Sequence, residues 1–227
     1  VGLTNKLERE QLEKQLGKDI VVDSEDSRAV WLVQTRADGA FADERVRRAI
    51  YLALDRKEMI TLLALGEGKL SGPVPPAFGE ANTAAEVEAT WGKTDVAEAK
   101  RLLAATTFDI SKEYSIKYIV PGDTYQQFAQ IVKSQLEKNL GLKIKLIGED
   151  FGKWLSQSLY GSDYDSFITY PTLEYDDPSS YIGGYAKTIG GRPNWAALVD
   201  DELDGLVQKQ KEILDDKERR TAVQNLQ

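Results

Sequence analysis

Residues 114–147 constrain this chain more than any other stretch. The run 114–120 (YSIKYIV) alternates as a half-buried strand does, and Pro121 with Gly122 breaks it. Phe128, Ile131, Val132, Leu136 and Leu140 then recur at helical spacing, behind Asp123 or Thr124 as an N-cap and ahead of Gly141 as a stop. Residues 142–147 (LKIKLI) read as a second strand. Strand, helix and strand in close succession form a crossover, so the two strands run parallel and the connection is right-handed. The fold class is therefore α/β.

Residues 41–60 add a second constraint, two consecutive amphipathic helices with a break between them. Val46, Ala49, Ile50 and Ala53 share one face, away from Glu44, Arg47, Arg48 and Tyr51, and that face is expected to dock on a sheet. Asp43 is placed to cap the first helix. Asp55 with Glu58 reads as a capping box for the second, which sets the break near Leu54.

The remaining elements follow by the same logic. Residues 5–16 suit a surface helix closed by Gly17, residues 19–23 and 29–35 are strand candidates, and residues 164–170 (YDSFITY) are a further strand after a helix over 151–160. Periodicity disappears over 66–93, where glycines and prolines imply one long loop, and such loops are commonly functional. Helical spacing returns with Val96, Ala99, Leu102 and Leu103, and two last helices are expected over 200–214 and from Asp216 onward.

Several of these segments also carry a resemblance. Phe41, Asp43, Val46, Arg47, Ala49, Ile50, Ala53, Leu54, Asp55 and Arg56 match F-x-D-x-x-V-R-x-A-I-x-x-A-L-D-R, a segment of the oligopeptide-type solute-binding proteins of ABC importers. DVAEAKRLL at 95–103 resembles the family's D-x-x-x-A-K-x-L-L helix, and L-D-x-L-V at 203–207, with Asp216, Arg219 and Gln224, resembles its closing segment. Thr106 and Thr107 stand where the family usually has Ala-Gly. The resemblance implies a periplasmic binding protein-like lobe of type II, with a mixed sheet, flanking helices and the β-α-β crossover. It implies that residues 1–227 form a single lobe, the second of a two-lobe protein, with a first lobe outside this sequence. It further implies an extracytoplasmic location, with any export signal outside the sequence.

Candidate site residues concentrate between Tyr170 and Trp195, just past a strand's C-terminal end, where open α/β sheets collect ligands. The resemblance aligns Asp177 and Pro178 with a D-P dipeptide that an acidic residue precedes in several members to anchor a peptide's amino terminus. Glu174 is the nearest acidic candidate, with Asp176 beside it. Asp177 and Pro178 equally suit an ordinary helix start that needs no ligand. Tyr170, Tyr175, Trp195 and Trp31 are candidate pocket linings, and a core role for each fits as well. Asn194 and Trp195 sit where the family often has Asn-Tyr, and Arg192 is available to a ligand carboxylate.

Composition removes other classes. The chain of 227 residues has a net charge of −8 and no basic cluster longer than Arg47 with Arg48, which disfavours nucleic acid. No histidine or cysteine offers the commonest general base or a thiolate. Asp163 and Asp165 begin a calcium-loop spacing and Glu174 falls at its twelfth position, but Phe167 and Ile168 occupy positions that such a loop gives to a ligand and a glycine, so no metal or cofactor is expected. The acidic pairs at 200–201 and 215–216 suit helix N-termini. No phosphate loop or nucleophile elbow is present.

The expected function is thus capture rather than catalysis. The resemblance implies a lobe of a monomeric receptor that closes by a hinge on oligopeptides or similar small solutes and passes them to an ABC permease. The alternative is a carboxylate-dependent hydrolase of saccharides or peptides, for which Glu149 with Asp150, or Asp176 with Asp177, would supply the acids.

Overall fold

The computed structural model describes residues 6–17, 30–161, 163–170, 176–186, 188–189 and 192–227. In chain order the longer elements are helix α1 (Lys6–Leu16), strand β1 (Leu32–Thr35), helices α2 (Glu44–Ala53), α3 (Arg56–Ala64), α4 (Ala84–Thr90) and α5 (Val96–Ala104), then β2 (Glu113–Val120), α6 (Asp123–Leu140) and β3 (Lys143–Asp150). There follow a helical turn α7 (Phe151–Lys153) that widens into a π-helix (Trp154–Leu159), β4 (Ser166–Thr169), α8 (Ser179–Ile182), the short strands β5 (Thr188–Ile189) and β6 (Arg192–Pro193), and helices α9 (Asp201–Lys209) and α10 (Asp216–Leu226). No described helix is long and apolar enough to cross a membrane.

The main sheet has the order β1-β4-β2-β3. β2 runs parallel to both β3 and β4, while β1 lies antiparallel to β4 with Leu32 opposite Thr169, so the sheet is mixed. The parallel β2-α6-β3 crossover expected from the sequence is present. Neither Asp123 nor Thr124 caps α6, because Asp123 is already its first helical residue and Gly122 holds the cap position without a side chain to accept a bond. Gly141 closes the helix with φ at 70°, a left-handed conformation that costs glycine nothing.

The main core lies between α6 and one sheet face. Phe128, Val132, Leu136 and Leu140 of α6 meet Tyr114, Ile116, Ile144 and Ile168 of the strands. Val46, Ala49, Ile50 and Ala53 are buried in this cluster, as their spacing requires, but α2 packs chiefly against α5 and α6 rather than on the sheet.

Local signals explain the helix ends. Asp43 accepts from the Arg45 amide at 2.8 Å, and Asp55 accepts from the amides of Lys57 and Glu58 at 3.0 Å each. The expected Asp55–Glu58 capping box does not close, because the Glu58 carboxylate accepts from Gln135 Nε2 at 2.6 Å instead. A full capping box exists at Thr83 and Glu86, and it starts α4 inside the stretch read as one long loop. The irregular run is therefore shorter than expected, and it is anchored: Val74 is fully buried with Ile182 and Val223. Gly17 is left-handed after α1, whereas residues 19–23 lie outside the described residues.

Candidate functional site

The C-terminal edge of the parallel strands is where β2 ends at Val120 and β4 at Thr169. Trp31 precedes β1 on the same edge, since Leu32 pairs with Thr169. Tyr125 stands in the first turn of α6, just past β2. These placements bring three half-buried aromatics together: the Trp31 ring lies 4.8 Å from Tyr125 and 4.9 Å from Tyr170, with Phe128 beneath it at 5.4 Å. Burial pushes the Tyr125 phenol above its ordinary pKa, so it remains a neutral donor at physiological pH. Rings with apolar faces and polar tips at a sheet's C-terminal edge form a surface suited to a small amphipathic ligand.

Asp177 makes bonds within the fold. Its Oδ1 accepts from the Ser179 amide at 2.8 Å and from Arg219 Nη2 at 2.7 Å. The Arg219 guanidinium holds this carboxyl at a pKa of about 2, with the Ser179 bonds adding to the effect. The helix-start reading of Asp177 and Pro178 thus describes what these residues do in the fold, with α8 beginning at Ser179. Asp176 is exposed beside them.

Asn194 also bonds within the fold. It is 3% exposed, its Nδ2 donates to the Leu198 carbonyl at 2.7 Å, and its Oδ1 accepts from the amides of Ala196 and Leu198. Trp195 does not join Trp31. The Tyr164 hydroxyl donates to the Trp195 carbonyl near the start of β4, and the indole packs with Trp154, Tyr164 and Phe167 and against Gly184. Of Arg192 the structure gives the backbone pairing in β6, opposite Ile189. Glu174 and Tyr175 lie outside the described residues.

Other acids are also spoken for. Glu149 Oε1 lies 3.3 Å from both Lys117 Nζ and Lys153 Nζ, and Asp150 accepts from the Lys153 amide at 3.0 Å. Asp200 and Asp215 cap α9 and α10, as expected of acids at helix N-termini. Among the described residues no group of three or more acids is placed to hold a metal ion. A groove of about 330 Å³ lies between α3 and α6, lined by Glu58, Leu62, Gln127, Gln130, Ile131, Ser134 and Gln135.

Tyr125 and Lys117 were not singled out from the sequence. The signal for Tyr125 was its place immediately after the Pro121–Gly122 break, where a parallel strand delivers the next helix to the ligand edge. Lys117 sat in an otherwise ordinary strand pattern, and its partners are distant in sequence.

Residues 3–191 match the family model of the bacterial extracellular solute-binding proteins, family 5, middle region. The chain is 24% identical over 182 residues to the periplasmic oligopeptide-binding protein OppA of Escherichia coli, covering 79% of this chain and 33% of that protein. It is 25% identical over 166 residues to the periplasmic murein peptide-binding protein MppA of the same organism, covering 67% of this chain and 29% of that one. It thus spans about a third of the curated relatives it matches. Among solved structures, DppA from Helicobacter pylori in complex with peptide STSA superposes with a TM-score of 0.79 at 22% identity, covering 98% of this chain and 43% of that one. The substrate-binding protein CtaP from Listeria monocytogenes gives 0.78 at 21% identity, covering 96% and 44%. The fold is that of a type II periplasmic-binding-protein lobe.

Proposed function

The chain belongs to the bacterial extracellular solute-binding proteins, family 5, and from that premise we propose that it is one lobe of an extracytoplasmic receptor that captures oligopeptides or similar small solutes. The lobe closes by a hinge against a first lobe and presents its cargo to an ABC permease. Binding energy comes from main-chain hydrogen bonds to an extended peptide and from side-chain pockets, with closure removing water from both. No covalent step is needed.

The observation that carries this reading is the aromatic surface of Trp31, Tyr125 and Tyr170 at the sheet's C-terminal edge, within a chain whose family model spans most of its length. Glu174, Tyr175, Asp176 and Arg192 are the further residues we assign to ligand contact, Glu174 as partner of a peptide ammonium and Arg192 of a carboxylate. The names of OppA and MppA, and the peptide held by DppA, support peptides as the ligand class.

The test is calorimetric titration of the full-length receptor with defined tri- to pentapeptides, followed by mass spectrometry of the recovered ligand. Saturable binding with the peptide returned intact is expected. Cleaved peptide, or no heat with any peptide, would reject the assignment.

A further inference from the structure

Helix α10 makes two sets of contacts. Near its start, Arg219 Nη2 donates to Asp177 Oδ1 at 2.7 Å and to Ser179 Oγ at 3.3 Å, while Arg219 Nε donates to Gln210 Oε1 at 3.2 Å. Gln210, only 1% exposed, donates in turn to Ser179 Oγ at 2.9 Å. Farther along, Val223 is buried between Val74 and Ile182. At the end of the helix, Gln224 Nε2 donates to the Ala81 carbonyl at 3.2 Å and Gln227 Nε2 to the Glu80 carbonyl at 2.9 Å, and Gln227 Oε1 accepts from the Val74 amide at 3.2 Å. Phe78 and Tyr181 then touch edge to face at 5.9 Å.

Two segments distant in sequence, 71–82 and 177–186, are therefore both held by one helix, 177–186 at its start and 71–82 along its length, with Gly79 against Arg220 as well as the bonds at the far end, and they meet each other across a small apolar cluster. We propose that Arg219 is a positioning residue that fixes the 177–186 segment and, through α10, holds 71–82 with it as one unit. The guanidinium suits this role because its planar fork reaches Asp177 and Ser179 through one nitrogen and Gln210 through another. A lysine would keep the charge opposite Asp177 and lose the second arm. The consequence for ligand capture rests on the function proposed above, because Asp176 and Asp177 border the segment assigned to ligand contact; the mechanical coupling does not.

Amide deuterium exchange of the purified protein tests this in the variants Arg219→Met, Arg219→Lys and Gln227→Ala. Opening of a segment that loses a charge-assisted bond is expected to raise its exchange about tenfold. Arg219→Met should raise exchange in 177–186 and 71–82 together, Arg219→Lys should do so to a smaller extent, and Gln227→Ala should reach 177–186 from the other end. Increased exchange confined to the segment nearest each substitution would overturn the proposal, and if Arg219→Met fails to fold, Arg219→Lys and Gln227→Ala decide it. Titration of the full-length receptor carrying each substitution with trialanine separates the two claims. Coupled exchange across the variants together with a full-length wild type that binds no peptide rejects only the peptide assignment, and uncoupled exchange with peptide binding intact rejects only the positioning role.

Discussion

The ammonium of Lys117 lies 3.3 Å from Oε1 of Glu149 on the sheet face away from α6, with the two side chains 5% and 1% exposed. Their strands bring them together, since Lys117 pairs with Ile147 in the parallel register and Glu149 points to the same face two residues on. Lys153 approaches the same carboxylate oxygen at 3.3 Å, and Ser158 donates to the other at 3.3 Å. Two cations and a hydroxyl thus satisfy one buried anion. Asp163, 82% exposed, takes the outer side of Lys117 and adds little.

Among the described residues, removing Lys117 leaves Glu149 with only the half-exposed Lys153 as a counter-charge. Breaking a buried pair costs about 3 to 5 kcal/mol, and Lys153 should hold the loss near the lower end. Urea unfolding of Lys117→Met is expected to show about 3 kcal/mol of destabilisation, and the double variant Lys117→Met with Glu149→Gln should recover most of it. A double variant as unstable as the single one would show that packing, not charge, is what Lys117 supplies.

Asp177 gives a pH signature. Its carboxyl is held at about 2 against an ordinary value of 3.8, chiefly by Arg219. A folded pKa below the unfolded one stabilises the protein above the unfolded value, and the contribution disappears as pH falls through the folded one. The gap corresponds to at most about 2.5 kcal/mol, and partial exposure of the pair brings it to about 1 kcal/mol. Between about pH 5 and pH 2 the wild type should lose that amount relative to Asp177→Asn, as read from parallel urea melts across the window. Parallel stability curves would remove Arg219 as the carboxylate's partner.

Much of this was legible in the sequence where the apolar period was strong. The run from Tyr114 to Ile147 specified strand, helix and strand because each element buries a continuous face against the next. Helix α4 was hidden for the opposite reason. Only Val87 among its residues is buried, so it shows no apolar stripe, and the Thr83–Glu86 capping box was its one signal among glycines and prolines. Gln135 and Arg219 are polar residues whose partners lie far along the chain, at Asp55 and Asp177, and no local pattern announces such pairs. The aromatic edge was half visible: Trp31 and Tyr170 could be named as ring-bearing residues, but their meeting with Tyr125 depends on the antiparallel placement of β1 beside β4.

For the proposed ligand contact, Glu174→Gln keeps the shape of the side chain and removes its charge. A charge pair buried by closure loses about 2 to 5 kcal/mol when one partner is removed. Peptide affinity of the full-length receptor should therefore fall by about tenfold or more, and an N-acetylated peptide should bind wild type and variant alike. Equal loss for free and acetylated peptides would remove Glu174 as the ammonium's partner.

Gln135 closes the break between α2 and α3. Its Oε1 accepts from the Asp55 amide at 2.8 Å, and its Nε2 donates to the Asp55 carbonyl at 3.2 Å and to Glu58 at 2.6 Å. The residue is 5% exposed, so Gln135→Leu strands Asp55's amide and carbonyl and should cost about 2 to 3 kcal/mol. Gln135→Glu keeps the acceptor for the Asp55 amide but sets a second carboxylate against Glu58. It should be destabilised at neutral pH and recover on acidification, because repulsion between two carboxylates in contact favours uptake of a shared proton that restores a donor between them. Recovery on acidification in Gln135→Glu but not in Gln135→Leu would assign the loss to the missing donor rather than to altered packing.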